Sequence, residues 1–444
     1  MLADMAANES AQSSAPRGRH GVWSGTGLVL ASMIGVGVLT SNGYMLGALP
    51  TRLVFLVWLS QAVVAACGAI AYGAIAARLP RSGGEYRYLS DLLHPALGYV
   101  AGWTSLLLGF AAPVAANAYA AGAFANQLFG GLDPVITGAV FIAAVTAFQA
   151  VDLGVAKWTQ GALVIAKVTL FAGLLGIGIL VGSHTLPESV TPQTHAGFPM
   201  ELFAVNFFFA AYAFSGWNAA IYVAEEFEHP RRDVPRAMVR GLAGATLLYL
   251  AITWFFATNL SAEALSGWSE DKATVAHVVV RELLGESAAA IVSAGIVLVL
   301  LSSTTALMLL GPRVNAVMAA DGLLPAIFRG KPGRPPSLAI VAQGVVALIL
   351  LFTHGFDELL RNIGALLTVM SALTVLGLLK LGLTQGGVPR KAMAAAAIFL
   401  TASVWMLWFA AKMDASILTW IGVVLGAGLA GYAVTRALRK SPDR

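Results

Sequence analysis

A chain of 444 residues that is 58% hydrophobic and 11% charged, with a net charge of +5, departs from soluble proteins, in which about a quarter of residues are charged. No polar stretch is long enough to build a separate aqueous core, which argues against soluble domains. The Lys and Arg residues are dispersed among loops and form no stripe, which excludes a nucleic-acid surface.

Each bilayer crossing needs roughly 20 mostly apolar residues, and about a dozen such stretches follow one another along the chain. Residues 1–20, rich in Ala and Ser, lack the apolar centre and cleavage site of a secretory signal, so a disordered cytoplasmic tail is expected there. The predicted spans are 22–48, 52–78, 96–124, 133–151, 158–182, 199–224, 236–259, 287–312, 337–354, 358–380, 391–411 and 415–437. Residues 438–444 form a second cytoplasmic tail. The reading is an all-α polytopic membrane protein with one membrane domain.

With both termini in the cytoplasm, the outer loops hold only Arg52, Lys272, Arg281, Arg361 and Lys412, and Lys167 lies inside a span. All the other basic residues, including the clusters Arg78/Arg81/Arg87, Arg231/Arg232/Arg236/Arg240, Arg329/Lys331/Arg334 and Arg436/Arg439/Lys440, fall on the inner side, as the positive-inside rule requires. A plasma or bacterial inner membrane is the expected location. The single cysteine, Cys67, excludes an intramolecular disulfide, and its place in the second span argues against a disulfide-linked subunit. A monomer or weak homo-oligomer is expected. No metal-ligand spacing, nucleophile elbow or phosphate loop appears, so neither an enzyme nor a cofactor is expected.

Two spans are interrupted midway by small or polar residues. The first reads Leu30-Ala31-Ser32-Met33-Ile34-Gly35-Val36-Gly37-Val38, and the sixth reads Tyr212-Ala213-Phe214-Ser215-Gly216-Trp217-Asn218. Glycine weakens a helix interior by about 1 kcal/mol relative to alanine, so a break is expected at each. Unwound backbone in a bilayer is tolerated only beside protein or a water-filled cavity, and two breaks in corresponding halves point to an inverted repeat with a site between the halves. Close packing through small residues is the competing reading.

These stretches, together with Ser82-Gly83-Gly84-Glu85-Tyr86, Gly98 to Trp103, Glu225-Glu226, Pro230 to Ala237, Gly311-Pro312-Arg313-Val314 and Met318 to Pro325, resemble the amino acid/polyamine/organocation superfamily, within it the L-type and cationic amino acid transporter branches. The resemblance runs across most of the chain. It implies a leucine-transporter-type fold with repeats at 21–182 and 199–380, two peripheral helices at 391–437, and amino acids as usual cargo.

The backbone N–H groups of Gly35, Val36 and Gly37 suit an α-carboxylate at a half-helix N-terminus, and carbonyls freed near Ile34 and from Tyr212 to Ser215 suit an α-ammonium. Substrate contacts are therefore expected at Ile34, Gly35, Val36, Gly37, Tyr212, Phe214, Ser215, Gly216 and Asn218. The chain departs from the family at Val36, where many members carry Ser and gain a hydroxyl contact. Tyr212 matches the family's aromatic gate, and Trp217-Asn218 matches a pair typical of the L-type branch.

Lys167 stands mid-span, too far from either end to snorkel with ease, so it needs a partner or a cavity. The resemblance places its ammonium where sodium-coupled relatives hold a cation, against the first and eighth spans. Ser302 and Ser303 of the eighth either accept from the ammonium or bond back to their own helix. Glu225 and Glu226 are either an intracellular gate or a solvated ion-pair network. No acid falls within either break, which favours a neutral cargo over a cationic one.

The leading expectation is sodium-independent secondary transport of neutral L-amino acids by alternating access, as an exchanger or with proton coupling. A carrier of cationic amino acids or polyamines is the alternative within that class, and a non-transporting membrane amino acid sensor the alternative outside it.

Overall fold

The computed structural model describes residues 20–151, 153–190, 198–261, 263, 274–330, 336–413 and 415–439. Most of the N-terminal tail, Lys272, Lys331, Arg334, Lys440 and most of the C-terminal tail lie outside them.

Apolar composition without interruption gives long helices, and the chain is all-α as expected. We number the helices α1 (Val22–Met33), α2 (Val36–Ala48), α3 (Thr51–Arg78), α4 (Gly84–Leu92), α5 (Pro95–Phe129), α6 (Pro134–Val151), α7 (Leu153–Leu180) and α8 (Met200–Phe214). There follow α9 (Pro230–Asn259), α10 (Val275–Leu284), α11 (Glu286–Ala320), α12 (Ser337–Thr353), α13 (Phe356–Gln385), α14 (Arg390–Met413) and α15 (Ala415–Arg439).

Among the described residues nine helical stretches are long and apolar enough to cross a membrane, and α1 with α2, bent by 45°, makes a tenth crossing. Two further predicted spans appear as shorter apolar helices, Ile165–Leu180 and Ser337–Thr353. Many large apolar side chains stay exposed on the outer faces, including Ile136, Ile165, Leu247, Ile291 and Val404. In water such a surface aggregates; against lipid it is the matching solvent.

The helices sort into two packed groups. In one, α9 lies against both α1 and α3, while α8 packs on α2 and α3. In the other, α5 packs against α6 and α11, and α12 against α6. Helix α7 touches α11 and α9, and α13 touches α8 and α5, so each spans the seam between the groups.

Both predicted breaks are present. Ile34 (φ −78°, ψ 95°) and Gly35 (φ −141°, ψ −148°) separate α1 from α2. Helix α8 ends at Phe214, Ser215 turns extended, Gly216 takes φ +95°, and the chain resumes as a 3₁₀ segment over Ala219–Glu226.

Candidate functional site

The two breaks lie against each other. A Cβ on Gly216 would come within 3.0 Å of the Ser32 backbone, and one on Gly37 would meet Ala213 Cα at 2.6 Å. Each break therefore uses a glycine to admit the backbone of the other, and Gly216 also needs glycine for its positive φ.

Unwinding strands carbonyls that a continuous helix would have satisfied, and buried carbonyls need donors. Lys167 on α7, only 2% exposed, donates to Ile34 O at 2.6 Å and to Ala31 O at 3.1 Å. The Tyr249 hydroxyl on α9 lies 2.6 Å from Met33 O and 2.8 Å from Ala213 O, one carbonyl from each break. A single hydroxyl proton serves the two carbonyls by sharing or alternation. Tyr249 is buried against Trp58 and Phe214.

A cavity opens along the breaks. It is lined by Gly35, Val36, Gly37, Tyr212, Ser215, Gly216, Trp217 and Asn218 from the broken spans, by Asn117 from α5 and by Ser303 from α11. Seven of the nine expected substrate contacts therefore share one wall. Ile34 and Phe214 are not part of it: Ile34 turns its carbonyl to Lys167, and Phe214 packs its ring between Trp58 and Tyr249. Ser303 faces the cavity beside Gly35, while Ser302 is fully buried within α11. The Lys167 ammonium donates to the backbone carbonyls of Ala31 and Ile34.

Glu225 and Glu226 sit at the Arg-rich end of the bundle. The Glu226 carboxylate meets Arg313 of α11 at 3.0 Å and the His20 ring at 3.7 Å, and the backbones of His20 and Glu226 are hydrogen-bonded. Glu225 is held through its N–H by the Ser82 hydroxyl. The arrangement ties the chain before α1, the end of the sixth span and α11 together.

Three contributors escaped the sequence reading. Tyr249 lies in an uninterrupted apolar run, and its only signal is a phenol at a depth wrong for a membrane belt. Asn117 sits in an alanine-rich face of α5. Glu85, quoted as part of a motif, lines the cavity from α4, so the cavity does contain a carboxylate although neither break does.

Paired half-helices meeting at a cavity between two helix groups, with their freed carbonyls capped from outside, define a polytopic membrane transporter of the broken-helix class. An amino acid permease family profile matches residues 21–431, and the chain belongs to that family, within the amino acid/polyamine/organocation superfamily. It is 25% identical over 341 residues to the serine/threonine exchanger SteT of Bacillus subtilis (strain 168), covering 75% of this chain and 76% of that one. It is 24% identical over 385 residues to the large neutral amino acids transporter small subunit 2 of Homo sapiens, 83% of this chain and 71% of the relative. Over 378 residues it is 22% identical to the b(0,+)-type amino acid transporter 1 of Oryctolagus cuniculus, with 82% and 76% covered. The protein is an amino acid transporter of multi-pass membrane topology, not an enzyme.

Proposed function

We propose that the protein is a sodium-independent secondary transporter of neutral L-amino acids, working by alternating access as an exchanger or a proton-coupled carrier, with both termini in the cytoplasm of a plasma or inner membrane. The Lys167 ammonium beside the first break is the observation that carries sodium independence. Two like unit charges about 4 Å apart repel by about 4 kcal/mol at an effective dielectric of 20, so a cation does not share that place. The α2 N-terminus supplies N–H donors at Val36 and Gly37 to an α-carboxylate without a charged side chain. Tyr212 covers the cargo, and rocking of the α1–α3/α8/α9 group against the α5/α6/α11/α12 group exposes it to either side. Glu226 with Arg313 and His20 closes the cytoplasmic end.

The names of two relatives, one a transporter of large neutral amino acids and one an exchanger of serine and threonine, support a neutral cargo. Glu85 is the specific observation in favour of a second reading, a cationic amino acid or polyamine, because a buried carboxylate attracts a cation. Reconstituted protein separates the two: leucine, alanine or serine should compete for uptake more strongly than arginine or putrescine, and the reverse order would sink the neutral reading.

A further inference from the structure

Glu85 is the one cavity-lining carboxylate among the described residues, and its position follows from the two residues before it. Gly83 (φ +115°) and Gly84 (φ +59°) take left-handed conformations that side chains rarely adopt. They turn the chain after α3 so that α4 begins directly against the ring of Tyr222, which any Cβ on Gly84 would strike. That register sends Glu85, the second residue of α4, into the protein rather than to the surface, and it is 2% exposed.

The carboxylate is held asymmetrically. Its Oε1 accepts from the Tyr72 hydroxyl at 2.5 Å, the Ser371 hydroxyl at 3.1 Å and the Asn218 amide at 3.4 Å. Among the described residues no basic side chain pairs with Glu85 and no hydrogen bond reaches Oε2. Burial pushes this carboxyl above the usual carboxylate range, and the hydroxyls of Tyr72 and Ser371 pull it back. An acceptor on the cavity wall without a protein donor takes one from whatever fills the cavity. Asn218 stands two residues past Gly216 and bonds directly to Glu85, so the carboxylate is one side chain away from the second break.

We propose that Glu85 Oε2 is a subsite for the cargo's side chain, accepting a hydrogen bond from a hydroxyl, carboxamide or ammonium group, and so selects amino acids with donor side chains over aliphatic ones of similar size. The proposal rests on the reading that the cavity carries an amino acid anchored at the two breaks. Glu85→Gln keeps the shape but removes the charge and one acceptor oxygen. It weakens the preference of the subsite for donor side chains without needing a new packing arrangement.

The test is uptake into proteoliposomes by the full chain and by E85Q, with serine, threonine and asparagine competing against alanine and valine. We expect E85Q to elute from detergent as a single folded species, and to lose about tenfold or more of its preference for the donor-bearing group over alanine and valine, the scale of one hydrogen bond to a charged group. Equal preference in both proteins overturns the subsite, as does a variant whose only change is in pH dependence. If arginine or putrescine is the best substrate and E85Q loses it selectively, the neutral-cargo reading fails while the subsite stands. Glu85→Asp supplies a second readout that does not depend on E85Q folding. It withdraws the acceptor by one methylene, and thermal shifts by serine and asparagine should move towards the longer donor; an unchanged order contradicts the proposal.

Discussion

The Lys167 ammonium lies 2.6 Å from the carbonyl oxygen of Ile34, across the gap that separates α1 from α2. With Ala31 O also in reach, the lysine does for the end of α1 what the missing N–H groups of a continuous helix would have done. A side chain costly in a membrane interior thus becomes part of the broken helix.

Replacing Lys167 by Met keeps the stem and removes the donors. Uptake should fall at least about tenfold, since two buried carbonyls lose a charge-assisted partner worth roughly 1.5–3 kcal/mol each. Transport at the wild-type rate in proteoliposomes would show that the ammonium has no part in the cycle.

Tyr249→Phe deletes one oxygen and strands Met33 O and Ala213 O together. Leaving a buried acceptor unsatisfied costs about 1–3 kcal/mol. The variant should melt at a lower temperature in detergent and transport more slowly, while Tyr432→Phe, whose ring sits at the periphery against Tyr99, serves as the comparison. Equal melting temperatures for Y249F and wild type would remove Tyr249 from the account.

Gly216→Ala places a Cβ on a φ of +95° and within 3.0 Å of the Ser32 backbone. The conformational term alone is about 1–2 kcal/mol, and the contact adds to it, so both stability and transport should drop. Gly422→Ala, where nothing lies within 4 Å, should be neutral in a thermal unfolding assay. A Gly216→Ala protein as stable as Gly422→Ala would mean that the breaks do not press on each other.

His277 on α10 is buried, with Nδ1 2.9 Å from the Ser293 hydroxyl, and burial holds its proton affinity below the ordinary histidine value. The unfolded chain then binds the proton more readily than the folded one. Stability is full above the unfolded pKa of about 6.5 and is lost as pH falls through the lower folded pKa. Melting curves between pH 7.5 and about 5 should show this acid loss in wild type and a shallower one in His277→Asn; parallel curves would contradict the assignment.

How far the sequence reached can be judged from particular residues. The breaks were legible because Gly35, Gly37 and Gly216 interrupt runs that otherwise favour helix, and Lys167 because a mid-span charge needs a reason. Phe214 was placed at the cavity because adjacency to a break does not say which way a ring turns; in the fold it packs against Trp58 and Tyr249. Tyr249 contacts carbonyls 216 and 36 residues away, a relation that only tertiary packing creates. Glu85 was visible in its motif, but its inward turn depends on two left-handed glycines, the second of which, Gly84, packs against Tyr222, more than a hundred positions further on. Glu85 stands on α4, outside both breaks, and reaches the cavity only through the fold.

The central claim is that an ammonium, not a sodium ion, stands beside the first break. The most direct measurement is uptake of labelled serine or leucine by purified protein in liposomes, in sodium-free buffer and again with a sodium gradient. The account predicts equal uptake in the two, driven by amino acid preloaded inside or by an imposed pH gradient. Uptake that appears only with the sodium gradient would contradict it.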